Sequence, residues 1–553
     1  MKTFTQNLIL RFSLFSVLFF CSVSYAADYH VGPSEVLHTI SEVPWATLNA
    51  GDRVYIHWKD TPYKEKWVIN RKGTAENPIK IIGVNGPEGQ QAIIDGNGAV
   101  IVAGLNYWNE SRGVIKIGGS NIPADDLPEY IIIDNLEIRS ARPPFQFTND
   151  DGVLEDYSDN AASIYIEKGA NITIRHCTLH DSGNGLFIGS FGGATQTILI
   201  EQNYIYDNGI VGSAYQHNSY TSAIGIIFQF NHYGLLKEGA NGNNLKDRSA
   251  GLVVKYNWLE GGSRLLDLVN ADDALLVGNE SYSTTHIYGN ILVKPEAPGN
   301  SQIVHYGGDS GSEDTYRKGE LLFYNNTVIS TRVGNTTLIN ISTNDESATV
   351  FNNVIFSTAS GNHFAMINNN GIFNLHHNWL KPEWKDCHCV PTGTVTDLGD
   401  NIIGSDPLFE DFATQNYRPA SSSELINNAA NLADLSGEGY GVENEYLEHQ
   451  NYVTRYVDGS LDIGAFENTF GLGLYALKTT TELIIYPNPV KDILTITVPQ
   501  QQINNFAIYS SLGQLVQTFT TPQINVENLK PGLYFIQGID GAGKNYVGRF
   551  IRE

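Results

Sequence analysis

The chain repeats one phrase of apolar and polar positions. A short β-branched or aromatic run is followed by one or two polar residues, an Asn, and a second apolar pair. Two early copies are Ile131-Ile132-Ile133-Asp134-Asn135-Leu136 and Ile172-Thr173-Ile174-Arg175-His176-Cys177. Later copies include Leu252-Val253-Val254-Lys255-Tyr256-Asn257-Trp258-Leu259 and Leu321-Leu322-Phe323-Tyr324-Asn325-Asn326-Thr327-Val328. Among Asn203, Asn231, Asn257, Asn326, Asn353 and Asn378 the steps are 25 to 28 residues wherever no insertion intervenes, within the range of solenoid repeats. A unit this short cannot bury its own apolar face, whereas stacked units share a continuous core. The runs have strand composition, no amphipathic helix separates them, and the links are rich in Gly, Asn, Asp and Ser.

This pattern predicts an all-β protein: a right-handed parallel β-helix over residues 27–467, then a small C-terminal β-sandwich. The recurring Asn is expected both to turn the chain at positive φ and to bond the Asn of the next coil. Residues 139–171 and 293–320, which lack the phrase, are expected to be loops.

Both ends differ from the body. Lys2 and Arg11 flank a weakly charged start, Phe12 to Val23 is apolar, and Ser24-Tyr25-Ala26 precedes Ala27. Residues 1–26 therefore read as a secretory signal peptide. No later segment carries the roughly 18 apolar residues that span a bilayer. Repeat character stops near Glu467, residues 468–482 read as a linker, and residues 483–553 alternate as short strands with a turn at Ser511-Leu512-Gly513-Gln514. The motifs Tyr486-Pro487-Asn488-Pro489 and Leu529-Lys530-Pro531-Gly532-Leu533-Tyr534, with the basic end Arg549-Phe550-Ile551-Arg552, make this tail resemble a type A C-terminal sorting domain of the type IX secretion system. The resemblance implies a Bacteroidetes-type bacterium, the type IX machinery as partner, and a secreted or cell-surface location.

Charge narrows the function. Lys and Arg number 34 against 59 Asp and Glu, for a net charge of -25. Such a chain is a poor nucleic-acid binder. Handling an acidic polymer requires a local basic patch or a bridging cation. The densest polar stretch runs from Tyr215 to Asp273 and holds His217, Tyr220, Lys246, Asp247, Arg248, Arg264, Asp267, Asp272 and Asp273. Counting one period at a time places His217, Lys246 and Asp272 or Asp273 on adjacent coils about 4.8 Å apart.

β-Elimination of a uronan needs a neutralised carboxylate, a base for the C5 proton and an acid for O4. Lys246 is the candidate base, Arg248 or Arg264 the neutraliser, and His217 or Tyr220 the acid. Calcium is the candidate cofactor, with Asp247, Asp267, Asp272 and Asp273 as ligands to share the neutralising role. Trp258 and Tyr215 are candidates to contact a sugar, Trp258 with a packing role as its alternative. Lys246, Asp247 and Arg248 read equally as an ion-pair ladder between coils, with Asp267 as partner.

The segments Leu48-Asn49-Ala50-Gly51-Asp52-Arg53-Val54-Tyr55-Ile56 and Gly73-Thr74-Ala75-Glu76-Asn77-Pro78-Ile79 resemble the opening coils of secreted β-helix polysaccharide lyases. Asp406-Pro407-Leu408-Phe409 and Asp462-Ile463-Gly464-Ala465-Phe466-Glu467 resemble their closing coil. Lys246 is similar in context to the catalytic lysine of the chondroitinase B and alginate lyase group. There a Lys-Ser pair precedes the strand and a catalytic arginine follows one coil later. Here Asp247 follows Lys246, Val269 falls near the arginine's place, and Arg264 lies a few residues early.

The resemblance implies a lyase on an acidic glycan, with a non-catalytic glycan-binding or adhesion protein as the alternative. Asn149-Asp150-Asp151-Gly152 is similar to an aspartate motif of β-helix polygalacturonases and supports a third reading, glycoside hydrolysis. Cys177 reads as a small buried hydrophobe. Cys387 and Cys389, near His376 and His377, read as a metal pair, a loop disulfide or free thiols.

Overall fold

The computed structural model describes residues 26–297, 299–468, 481–497, 503–510, 515–540 and 545–553. The expected signal peptide except Ala26, most of the expected linker and the turn at residues 511–514 lie outside them. The chain divides into two units: residues up to Ser405 with Leu432–Thr454, and Asp406–Asn431 with Arg455–Glu553. The domain read over residues 27–467 is thus split, since residues 406–431 and 455–467 group with the tail.

The first unit is a parallel β-helix. Three long sheets run along it, of 13, 11 and 13 strands, and successive coils add one strand to each. One coil shows the plan. Ala250–Lys255 lies in the first sheet, Trp258–Glu260 in the second and Leu266–Leu268 in the third. The chain then returns to the first sheet at Thr284–Tyr288. Every strand of the first sheet pairs parallel with its neighbours, as in Ile226↔Leu252 and Phe228↔Val254. Those in-register Ile, Val, Leu and Phe side chains point inward and form one continuous buried core from Val31 to Leu380. A flat stack of this kind replaces the core that no single coil could build.

The corner between the first and second sheets explains the repeated phrase. Asn203 Nδ2 donates to Asn231 Oδ1 at 3.0 Å, and the relay continues through Asn257, Asn290, Asn326, Asn353 and Asn378 to Asn401. Each backbone N–H donates to the same oxygen, as from Asn231 to Asn257 at 2.9 Å. The left-handed turn, however, falls one residue earlier than expected: Phe230, Tyr256, Asn325 and Asn352 carry φ of 58°, 56°, 49° and 58°, and Gly289 carries 67°. The ladder Asn itself is not the strained residue; it satisfies the groups that the turn leaves unbonded. Cys177 occupies a ladder position, its N–H donating to Asn203 Oδ1 at 2.9 Å.

The two expected loops contain coil strands. Residues 139–171 hold a hairpin, Gln146–Thr148 with Leu154–Asp156, and the third-sheet strand Ala162–Ile166. Residues 293–320 hold the third-sheet strand Gln302–Tyr306. The Asn phrase marks only the first corner of each coil, so strands of the third sheet carry no such flag.

In the second unit, Ile484–Tyr486, Ile493–Thr497 and Gln523–Asn525 form a three-stranded sheet. Five further strands, ending with Gly532–Asp540 and Asn545–Arg552, form a second sheet, and Phe409–Asp411 pairs with Asn416–Pro419 in a third. Leu494, Ile496, Phe506, Ile508, Ile524, Ile536 and Phe550 are buried in one core. Asn488 of the Pro-Asn-Pro motif accepts from Ile551 N–H and donates to the Arg549 carbonyl, tying the motif to the last strand.

Candidate functional site

The third sheet positions the cluster. Strand Leu245–Asp247 turns Leu245 and Asp247 inward and Lys246 outward, as alternation requires. Its neighbours are paired so that Tyr220, Lys246, Asp267 and His305 stand in one outward column. This is not the column expected from counting. Lys246 and Asp267 are only 21 residues apart, less than one period, so Asp267 faces Lys246 and Asp272 and Asp273 lie beyond the strand.

Asp267 is the hub. Its side chain is 2 % exposed. Oδ2 accepts from Lys246 Nζ at 2.6 Å and Asn243 Nδ2 at 2.8 Å. Oδ1 accepts from His305 Nδ1 at 2.8 Å and lies 3.3 Å from Arg264 Nη1. Burial pushes this carboxyl up, but the His305 hydrogen bond and the charges of Lys246, His305 and Arg264 hold it well below the usual carboxylate range. His305 reaches Ser342 Oγ through Nε2 at 3.1 Å. Arg264 also donates to Gln302 Oε1 at 2.9 Å.

A second carboxylate, Asp309, bridges the cations from the loop after Gln302–Tyr306. Its Oδ2 lies 2.6 Å from Lys246 Nζ and its Oδ1 lies 3.0 Å from Arg248 Nη2. Burial raises its carboxyl, and Lys246 and Arg248 outweigh that and lower it. Arg248 Nε donates to the Tyr220 hydroxyl at 2.8 Å, and its Nη1 donates to the Asn270 carbonyl. Burial opposes the Arg248 charge, but Tyr220 and Asp309 outweigh it and keep the guanidinium cationic. His217 lies beside Tyr220, with ring centroids 5.6 Å apart. Burial and the Lys246 charge push its imidazole down to about 3. Because Asn243 N–H donates to His217 Nδ1 at 2.9 Å, the neutral ring carries its proton on Nε2.

The structure therefore brings His217, Tyr220, Lys246, Arg248, Arg264 and Asp267 together. It does not do so for the rest. Asp247 points into the coil, fully buried with Arg317 at 3.3 Å, and accepts from Thr221 and Ser249 hydroxyls at 2.7 Å. Asp272 is 76 % exposed and 3.9 Å from Arg248. Asp273 caps a short helix, accepting from Leu275 N–H, and takes a hydrogen bond from Ser190. Asp247, Asp267, Asp272 and Asp273 do not converge, and each already accepts from a protein donor or pairs with a cation, so they do not fit a calcium site. Trp258 lies in the second sheet, 8 % exposed, against His232 and Tyr446; it packs there and does not face the cluster. Tyr215 is exposed on the segment leading to His217.

Lys246 also departs from its expected role. It donates to two carboxylates, which is the geometry of a cation that binds and not of a base with a free lone pair. The residues that counting missed are His305, Asp309, Asn243 and Ser342. His305 had a signal, a lone polar residue between the buried apolar Val304 and Tyr306; Asp309 follows a Gly-Gly turn and had none.

Two other expectations resolve elsewhere. Cys387 and Cys389 form a disulfide, which removes them as metal ligands. Asp150 of the polygalacturonase-like motif accepts from Asn106 Nδ2, and burial, with the nearby Asp150 charge, pushes the Glu110 carboxyl up to about 7.

Residues 484–553 match the family described as a secretion system C-terminal sorting domain. The protein is therefore secreted, to the cell surface or beyond it. No curated protein matches the chain. Among solved structures it is similar to a GH136 lacto-N-biosidase from Eubacterium ramulus, at 13 % identity over 68 % of this chain and 67 % of that one, with a TM-score of 0.38. It is similar to a mannuronic acid specific polysaccharide family 6 lyase from human gut microbiota, at 14 % identity over 65 % and 79 %, with a TM-score of 0.28. It is also similar to the pectin methylesterase of Aspergillus niger, at 10 % identity over 76 % and 96 %, with a TM-score of 0.22.

Proposed function

We propose that this protein is a secreted lyase that cleaves a uronate-containing polysaccharide by β-elimination. The observation that carries the reading is the two-point grip of Lys246 and Arg248 on the Asp309 carboxylate. The same pair fits a substrate uronate in place of Asp309, which comes from a loop and is about one-third exposed. A bidentate cationic clamp neutralises the carboxylate and acidifies the carbon beside it.

Tyr220 is then the group nearest the reacting atoms, with its oxygen oriented by Arg248 Nε. In the step Tyr220 acts as a phenolate held by the Arg248 Nε–H: its oxygen takes the C5 proton, and the electron pair of the broken C–H bond forms the C4=C5 bond. The C4–O4 bond breaks, and O4 takes that proton from the Tyr220 hydroxyl, which returns to the phenolate, while neutral His217 serves as a hydrogen-bond donor through Nε2–H and keeps its proton. Asp267 positions Lys246, Arg264 and His305 and does not itself touch substrate.

The test is ultraviolet detection of the unsaturated product on alginate, pectate, chondroitin and ulvan. Wild-type protein should yield product on at least one. Tyr220→Phe and Lys246→Ala should lose it by at least about a hundredfold while folding normally, the usual scale for a positioned acid or base. Binding to one of these polymers with no product on any would replace the lyase by the glycan-binding reading.

A further inference from the structure

Far from this cluster, the first coil carries a second constellation that the proposed reaction does not use. Strand Asp28–Val31 pairs with Arg53–His57, with His30 opposite Tyr55. Alternation puts Tyr55 and His57 on the outward side while Val54 and Ile56 are buried. His30 lies on that same side, its ring stacked on Tyr55 with centroids 4.6 Å apart. The chain after Val31 turns back, and the Gly32 N–H donates to the Leu37 carbonyl at 2.8 Å. That turn carries Glu35 over the two histidines. It is tight: a Cβ on Gly32 would lie 2.9 Å from the His57 Cβ and 3.2 Å from the Glu35 Cγ.

The three side chains converge on one spot. His30 Nδ1 lies 3.0 Å from His57 Nε2, and His57 Nδ1 lies 3.5 Å from Glu35 Oε1. One ligand atom from each of His30, Glu35 and His57 falls within 4.8 Å of the others. A tetrahedral ion with metal–nitrogen bonds of about 2.05 Å needs ligand atoms about 3.3 Å apart. Those two separations end on different nitrogens of His57, and one ion takes only one of them, so a metal draws one atom of each side chain from within 4.8 Å toward that spacing, a closure of up to about 1.5 Å by side-chain rotation. All three side chains are half-buried, open enough for an ion to enter yet held by strand pairing, ring stacking and the turn. Two imidazoles and one carboxylate suit zinc or a similar first-row divalent ion, and three protein ligands leave a fourth position for water.

We infer that His30, Glu35 and His57 form a divalent transition-metal site that fastens the first strand of the coil to the second. The consequence is structural. Among the described residues the strand Asp28–Val31 is the end strand of its sheet, its outer edge bridged at Val31 to Leu37, and end strands are where a solenoid opens. An ion bound only by the folded coil stabilises that end by mass action.

The experiment uses the full chain stripped with chelator, titrated with zinc by calorimetry and with cobalt(II) by visible absorption. Wild-type protein should bind one ion at the site, with a tetrahedral cobalt spectrum and a raised unfolding midpoint. His57→Ala should lose that uptake and that rise, and Glu35→Gln should weaken uptake by more than the roughly 10- to 100-fold that loss of an outer-shell partner costs. A control is needed because His376 Nδ1 and His377 Nδ1 also lie 3.1 Å apart. His377→Ala should bind zinc as wild-type does. The inference is overturned if wild-type and His57→Ala bind equally, or if uptake follows His377 instead. Should His57→Ala fail to fold, Glu35→Gln alone decides: unchanged affinity in that variant rejects the site.

Discussion

Replacing Asp267 with Asn tests whether the cluster is held by one buried charge. The substitution keeps the shape and removes the counter-charge from Lys246, Arg264 and His305. An amide also turns a donor toward at least one of the four groups that now donate to the carboxylate. Removing one partner of a buried ion pair costs about 3–5 kcal/mol. Lys246 retains Asp309 at 2.6 Å and Arg264 retains Gln302 at 2.9 Å, which places the expected loss at the lower end, about 3 kcal/mol. The first unit has roughly 400 residues, and an unfolding entropy of about 2.1 cal/mol/K per residue gives about 0.8 kcal/mol/K. The unfolding midpoint should therefore fall by about 4 °C, read by calorimetry or circular dichroism.

Asp272→Asn is the control: its side chain is 76 % exposed and 3.9 Å from Arg248, so the change should stay within about 0.5 kcal/mol. Asp267→Asn also carries a pH signature. Asp267 and Asp309 are both lowered in the folded state, so the unfolded chain binds more protons as acid is added. Their stabilisation is complete above the unfolded carboxylate value, about 3.9, and is lost as pH falls toward the folded values. Asp267→Asn should flatten that acid loss. A midpoint within 1 °C of wild-type, by the ~0.8 kcal/mol/K slope above, or an unchanged acid profile, would refute the hub.

Two further outcomes follow from the coil itself. Asn257→Ala removes the acceptor for the Asn231 N–H and Nδ2 and the donor to the Phe228 and Lys255 carbonyls and Asn290 Oδ1; at about 1–3 kcal/mol per buried orphan it should cost about 4 kcal/mol or more, seen in denaturant unfolding, and a shift below 1 kcal/mol would show the ladder to be dispensable. The Cys177 thiol, pushed up to about 12 by burial, should resist alkylation in the native protein and react once it is unfolded, while Cys387 and Cys389 should need a reductant first; mass spectrometry distinguishes the cases.

The architecture was legible in the sequence because its cause is local and repeated. Each coil needs apolar residues at alternate positions and an Asn whose amide serves its neighbours, so the phrase recurs at a readable period. The tail motif was legible for a similar reason, as a short contiguous string. The column of the site was not. Tyr220 and Lys246 are 26 residues apart, Lys246 and Asp267 are 21, and Asp267 and His305 are 38, yet all four sit in register. Strand hydrogen bonds set that register, while turns absorb the insertions, so counting residues drifts exactly where turns vary in length. Asp309 reaches Lys246 across 63 residues from a turn with no periodicity. The sequence alone determined that this chain coils and is exported; only the tertiary pairing decided that Asp267 and Asp309, and not Asp272 or Asp273, meet the cations.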